Sequence, residues 1–254
     1  MTEPVLVTIE ERVLRIEMNR PEKKNALTVR MYADMAAALK QADADDAVRA
    51  ILIHGQVDCF TAGNDLQDFL DVSSSLEDSS VDRFTTILPT VRKPLVAAVG
   101  GVAVGIGTTM LLHCDLVYAA ENARFILPFI NLALVPEAAS SMLLPRLAGY
   151  QRAAELLMLG EPFDAEQARE IGFVNRVVPP DALMEQAFQS ARSLAEKPPA
   201  AMLAAKELLK RGAESVEARM QAENAIFSEC LVSPEAKEAM TAFVERRKPD
   251  FSNF

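Results

Sequence analysis

The chain has little of what metal and covalent chemistry use most. It contains three cysteines and two histidines in 254 residues. Cys59, Cys114 and Cys230 show no paired spacing, and His54 and His113 do not complete a zinc-ligand pattern with them. An odd cysteine count with no apolar leader after Met1-Thr-Glu-Pro predicts a reducing compartment. The ending Phe251-Ser-Asn-Phe254 is not a peroxisomal address, so a cytoplasmic enzyme is expected. Positive charge is also scarce: 26 Lys and Arg stand against 36 Asp and Glu, a net −10 at pH 7. An acidic surface repels the phosphate backbone, which argues against a nucleic-acid partner. The nucleophile elbow G-x-S-x-G and the phosphate loop G-x-x-x-x-G-K-[ST] are missing, and with them the best support for covalent or nucleotide hydrolysis. Gly105-Ile-Gly107-Thr-Thr-Met110 begins like a dinucleotide fingerprint but has Met110 where the third glycine belongs, which counts against a nicotinamide site.

Half of the sequence is apolar and a quarter is charged, an ordinary soluble composition, and a chain this long buries a core without disulfides or metal. Val5–Ile9 and Val13–Met18 alternate around Glu10-Glu11-Arg12 and predict a hairpin. Thr28 is placed to cap a helix to about Ala42, with Met31, Met35 and Leu39 on one face. Ala50–Gly55 reads as a buried strand, and Asp71–Asp82 as a polar, mobile surface segment. Pro94–Leu112 is uncharged and long enough to raise the question of a membrane helix. Its four glycines (100, 101, 105 and 107) break it instead into strand, turn and short buried helix. Strands are expected at Leu95–Val99, Leu116–Ala119 and Phe125–Leu127.

Beyond Pro136 the pattern turns helical. Asp164 and Gln167 form a capping box for a helix stopping at Gly172, and another helix starts at Asp181. Helices are then expected at Ala200–Arg211, Ser215–Cys230 and Pro234–Arg247, the last capped by Ser233. The fold class is α/β: a core over residues 1–195 followed by a helical region over 196–254. No internal sequence repeat is visible.

A glycine turn that opens a helix leaves backbone N–H groups aimed at whatever lies over the helix N-terminus. Gly105–Gly107 is one such turn, and Cys59-Phe-Thr-Ala-Gly-Asn-Asp-Leu66 is a second glycine turn after a buried strand. Facing each other, they would make an oxyanion hole. On spacing alone, two ordinary turns are the simpler reading.

Several motifs in register change that balance. Asn19-Arg-Pro-Glu-Lys-Lys-Asn-Ala-Leu27, Phe60-Thr-Ala-Gly-Asn-Asp-Leu66 and Lys93-Pro-Leu-Val-Ala-Ala-Val-Gly-Gly101 come first. Gly101-Val-Ala-Val-Gly-Ile-Gly107, Cys114-Asp115, Gly160-Glu-Pro-Phe-Asp-Ala-Glu-Gln-Ala168 and Phe243-Val-Glu-Arg-Arg-Lys248 follow. Together they resemble the crotonase (enoyl-CoA hydratase/isomerase) superfamily over nearly the whole chain. The resemblance implies a spiral of ββα units, a helical C-terminal trimerisation region, and a homotrimer or dimer of trimers without membrane insertion. It implies an acyl-CoA substrate, with no cofactor beyond the coenzyme A that the substrate carries. By the same resemblance the Asn64 and Ile106 N–H groups are the oxyanion donors. Ala62, Gly63, Asn64, Asp65, Leu66, Gly105 and Phe129 then line the substrate path. Lys23 or Lys24 meets a CoA phosphate, or the two stand as solvated charges.

Hydratases of that superfamily carry two glutamates that activate water; the register here puts Thr109 and Phe129 in their places, and neither is a carboxylate base. Losing such groups costs hydration several orders of magnitude, since one acid–base group contributes about 10²–10⁴-fold. Glu137 lies between apolar Leu134-Val135 and small Ala138–Ser141. Taken alone, it is a first-turn carboxylate favoured by the dipole of the following helix. However, Pro136-Glu-Ala-Ala-Ser-Ser141, preceded by Pro128-Phe129, resembles the Δ3,Δ2-enoyl-CoA isomerases of peroxisomal type, in which the matching glutamate is the base. An apolar wall of Phe129, Leu134 and Val135 would raise its pKa and exclude water. The expected function is a shift of a 3-enoyl-CoA double bond to 2-trans-enoyl-CoA. Hydration or another crotonase reaction is the first alternative, and a non-catalytic acyl-CoA-binding protein the second.

Overall fold

The computed structural model describes residues 3–65, 67 and 79–254. β1 (Val5–Glu10) and β2 (Val13–Met18) form the expected antiparallel hairpin, with Val5 opposite Met18. Glu11 and Arg12 turn it at positive φ. β2 then pairs in parallel with β3 (Ala50–His54), β3 with β5 (Leu95–Val99), β5 with β7 (Leu116–Ala120) and β7 with β10 (Arg176–Val178). These strands make one six-stranded sheet. β3 and β5 are buried along their whole length, which accounts for their unbroken apolar sequences.

A second, four-stranded sheet has the order β4 (Cys59–Thr61), β6 (Val102–Val104), β8 (Arg124–Ile126), β9 (Phe163–Asp164). After each of β3, β5 and β7 the chain turns within a few residues into the small sheet, at β4, β6 and β8. Helical segments over 80–87 and 106–113 then lead onward from β4 and β6. This is the spiral of ββα units that the resemblance implied, repeated in space though not in sequence. The uncharged stretch 94–112 resolves into β5, β6 and a buried helical turn. No helix among the described residues is long and apolar enough to cross a membrane.

One core fills the space between the sheets and the Val29–Ala44 helix, where Met31, Met35 and Leu39 are fully buried as expected. Thr28 caps that helix through the Met31 N–H at 3.2 Å. A second core lies on the outer face of the large sheet. There Leu183, Ala187, Ala191 and Ala195 of the Leu183–Ala195 helix recur at four-residue spacing against Leu52, Val96, Ala98 and Tyr118. The capping box closes both ways, Gln167 N to Asp164 at 2.9 Å and Asp164 N to Gln167 at 3.0 Å.

Two expectations need correction. The polar segment read over Asp71–Asp82 is helical from Ser80, where Ser79 Oγ accepts the Asp82 N–H at 3.1 Å; residues 71–78 lie outside the described residues. Strands β4, β6, β9 and β10 were not expected: each spans only two or three residues, too short to show alternation.

The last three helices are Pro199–Lys210, Val216–Leu231 and Pro234–Glu245. Lys206 fastens the first of them to the large sheet by donating to Asp115 (2.6 Å) and to the Lys93 carbonyl (2.7 Å). The middle helix buries no residue, and Phe227, Leu231, Phe243 and Val244 stand more than half exposed.

Candidate active site

The two glycine turns meet. Gly63 has φ +85°, and a Cβ there would sit 2.8 Å from the Val104 carbonyl oxygen, so only glycine allows the 62–65 loop to lie this close to the end of β6. Gly105 is also at positive φ and has open space over its α-carbon. It is followed directly by the helix Ile106–Thr109, whose first N–H groups have no intrahelical acceptor.

On the other loop, Leu27 N donates to Gly63 O (2.7 Å) and Asp65 N donates to Leu27 O (2.9 Å). This parallel bridge occupies both neighbours of Asn64. In an extended segment alternate residues turn their backbone groups to opposite sides, so the Asn64 N–H faces away from Leu27. The Asn64 and Ile106 amides thus lie on two loops packed against each other.

The loop is heavily anchored from behind. Asn25, fully buried, donates through Nδ2 to the carbonyls of Cys59 (3.2 Å) and Phe60 (3.0 Å) and accepts from Arg20 N (2.7 Å). Ala62 N donates to the Lys24 carbonyl at 2.9 Å. The Asp65 carboxylate, predicted to line the substrate path, is held by Arg20 Nη1 at 2.7 Å, and that bond lowers its pKa. Lys23 and Lys24 are exposed at the rim, and Leu66 lies outside the described residues.

Thr109 and Glu137 come together. The Thr109 hydroxyl donates a short hydrogen bond to Glu137 Oε1. Burial raises the Glu137 pKa above its ordinary value, and the Thr109 bond offsets part of that rise. Tyr32, fully buried in the Val29–Ala44 helix, donates to Asn64 Oδ1. Burial lifts its pKa well above the usual phenol value, and the nearby Glu137 charge adds to the effect. Glu137, Thr109, Tyr32, Asn64 and the Gly105–Ile106 turn therefore belong to one neighbourhood.

Two of the three residues of the expected apolar wall stand open in the single chain. Phe129 is buried, but Leu134 is 50% and Val135 77% exposed in the single chain, so neither shields Glu137 from within it. Both cysteines near the site are poor nucleophiles, since burial pushes Cys59 up to about 11 and Cys114 up to about 12. No group of three or more metal-ligating side chains occurs among the described residues. Arg20, Asn25, Tyr32 and His113 were not singled out as site residues from sequence. Tyr32 sits directly beside Met31 on the buried face, which was the available signal.

The enoyl-CoA hydratase/isomerase family matches over residues 8–253. A 2,3-dehydroadipyl-CoA hydratase of Escherichia coli (strain K12) is 34% identical, covering 97% of this chain and 98% of the relative. Enoyl-CoA delta isomerase 2 of Rattus norvegicus is 36% identical over 96% of this chain and 64% of its own length. A solved structure described as an enoyl-CoA hydratase/carnithine racemase from Magnetospirillum magneticum AMB-1 superposes with a TM-score of 0.97 at 50% identity, covering 100% of both chains.

Proposed function

The chain belongs to the enoyl-CoA hydratase/isomerase family, and from that premise we propose that it isomerises 3-enoyl-CoA to 2-trans-enoyl-CoA with Glu137 as the only acid–base group. The observation that carries this reading is the Thr109–Glu137 hydrogen bond. The helix position that resembles the first water-activating glutamate of hydratases holds a hydroxyl, and that hydroxyl donates to the Glu137 carboxylate.

The Asn64 and Ile106 N–H groups hold the thioester oxygen and acidify the C2 proton. Glu137 takes that proton, the electron pair delocalises into the thioester oxygen as a dienolate, and the protonated Glu137 returns the proton at C4. The carboxylate is regenerated and nothing but a proton has moved, so coenzyme A arrives with the substrate and no further cofactor is required. A raised carboxyl pKa suits a group that must both accept and return a proton near neutrality.

Paired absorbance assays test the reading. A 3-hexenoyl-CoA solution gains conjugated absorbance on isomerisation, whereas crotonyl-CoA loses it on hydration. The expected outcome is a rapid gain on the first and little loss on the second. Fast hydration with no isomerisation would favour the second reading, which the 34% identical hydratase relative supports. Tight acyl-CoA binding without turnover of either substrate would mark a non-catalytic binding protein.

Assembly is part of the same proposal. Leu134 and Val135 beside the base, and Phe227, Leu231, Phe243 and Val244 on the last helices, are exposed apolar side chains in one chain. Further copies of the chain are proposed to cover them, as a homotrimer or a dimer of trimers. Light scattering should give three or six times the 27.7 kDa of one chain; a stable 27.7 kDa species would sink the assembly.

A further inference from the structure

The two residues after Glu137 hold conformations that need a cause. Ala138 and Ala139 have φ of 50° and 58°. For an L side chain the left-handed region costs about 1–2 kcal/mol per residue, and neither position is a glycine. Two such residues in succession persist only where the surroundings hold them. Ser140 supplies part of that hold, donating to the Glu137 carbonyl from its N–H (3.0 Å) and its hydroxyl (2.7 Å).

The rest comes from a residue that plays no direct part in the proton transfer. His113, buried at the end of the helical turn that begins at Ile106, has Nε2 2.9 Å from the Ala138 carbonyl oxygen. A carbonyl only accepts, so Nε2 carries the proton. Burial lowers the ring's pKa and Lys210 lowers it further, against the bond to Ala138, which raises it. Its lowered pKa keeps the imidazole mainly neutral at pH 7, so the ring adds no cationic charge beside Glu137. Lys210 Nζ in turn donates to the His113 carbonyl at 3.3 Å, so the Pro199–Lys210 helix bears on the same residue.

We propose that His113 is a positioning residue: its Nε2–H grips the Ala138 carbonyl and thereby fixes where the Glu137 carboxylate points. This inference rests on Glu137 as the base. Thr109, on the same helical turn as His113, holds the carboxylate end of Glu137, while His113 holds the backbone just beyond it. One short segment of chain thus aims the base from both sides.

Three substitutions separate a positioning role from a space-filling one. His113→Leu fills the buried volume without a donor, His113→Gln places an amide N–H about where Nε2–H lies, and His113→Asn is too short to reach. Misplacing a reacting group by about 1 Å costs up to roughly 10²-fold. His113→Leu is therefore expected to lose about 10–100-fold in kcat on 3-hexenoyl-CoA with KM within about twofold. His113→Gln should recover most of the loss, and His113→Asn should not. In a Glu137→Gln background, His113→Leu should cost nothing further, because its effect passes through that carboxylate.

Wild-type kcat in His113→Leu, or the same fold-loss in both backgrounds, would overturn the inference. An active Glu137→Gln enzyme would sink the base assignment itself, a different result from an active His113→Leu enzyme beside an inactive Glu137→Gln one. Should His113→Leu not fold, the contrast between His113→Gln and His113→Asn carries the test.

Discussion

Glu137→Gln should lower kcat on a 3-enoyl-CoA by about 10²–10⁴-fold, the contribution of one general acid–base group, while leaving substrate affinity nearly unchanged. The amide keeps the size of the side chain and can still accept from Thr109, so the oxyanion donors and the loop remain in place. Unfolding is not the expected cause of the loss. Burial raises the pKa of Glu137 in the folded chain, so the folded state binds that proton more tightly than the unfolded state does. Between the two pKa values stability falls as pH rises, and at pH 7 the ionised carboxylate opposes folding. Removing the charge should leave Tm at pH 7 equal to wild type or higher. A lower Tm together with lost activity would point to a structural role instead. The same pKa sets the acid limb of kcat/KM in the wild type. Activity should fall as pH drops through a value above the ordinary 4.5. Since the Thr109 bond lowers that pKa, Thr109→Val should move the limb to higher pH. A limb unmoved by Thr109→Val would mean that another group limits the rate.

The sequence made some of this legible because the chemistry was local. A Thr three residues before a helical N–H, or an Asp and a Gln three apart, acts through its own neighbourhood, and those caps formed as expected. The long buried strands β3 and β5 were visible as apolar runs. The small sheet was not, because its strands are two or three residues long and owe their shape to pairing across the spiral.

The site divides in the same way. Gly63 and Gly105 announce tight turns, but which backbone amides they free depends on the Leu27 bridge 36 residues before Gly63 along the chain. Nothing in Pro136-Glu-Ala-Ala-Ser-Ser141 signals left-handed backbone at Ala138 and Ala139, positions where glycine or asparagine would be the usual sign. Ser140 bonds back locally to the Glu137 carbonyl, but the His113 bond to the Ala138 carbonyl is a tertiary contact. Tyr32 likewise reads as one more buried helix residue until Asn64 is brought beside it.

The claim that does not depend on which reaction the enzyme performs is that the Ile106 N–H stabilises an enolate, and Ile106→Pro tests it. Ile106 is the first residue of its helix, where the N–H has no intrahelical acceptor and proline is well tolerated. Gly105, at φ 56° and ψ −117°, is already outside the α region that a following proline disfavours. The substitution therefore deletes one donor without breaking a helix bond. Removing a single oxyanion donor costs about 10²–10³ in kcat, roughly 2.7–4 kcal/mol of transition-state stabilisation. Proline also removes the buried Ile106 side chain, which is 2% exposed, and puts a methylene where the hydrogen was. Ile106→Ala separates these effects, because it loses the side chain but keeps the N–H. It should lower Tm yet retain most of kcat, whereas Ile106→Pro should lose kcat on every acyl-CoA substrate the enzyme turns over. If Ile106→Pro and Ile106→Ala had the same kcat, the donor would not be at residue 106, and the enolate would have to be held by Asn64 alone.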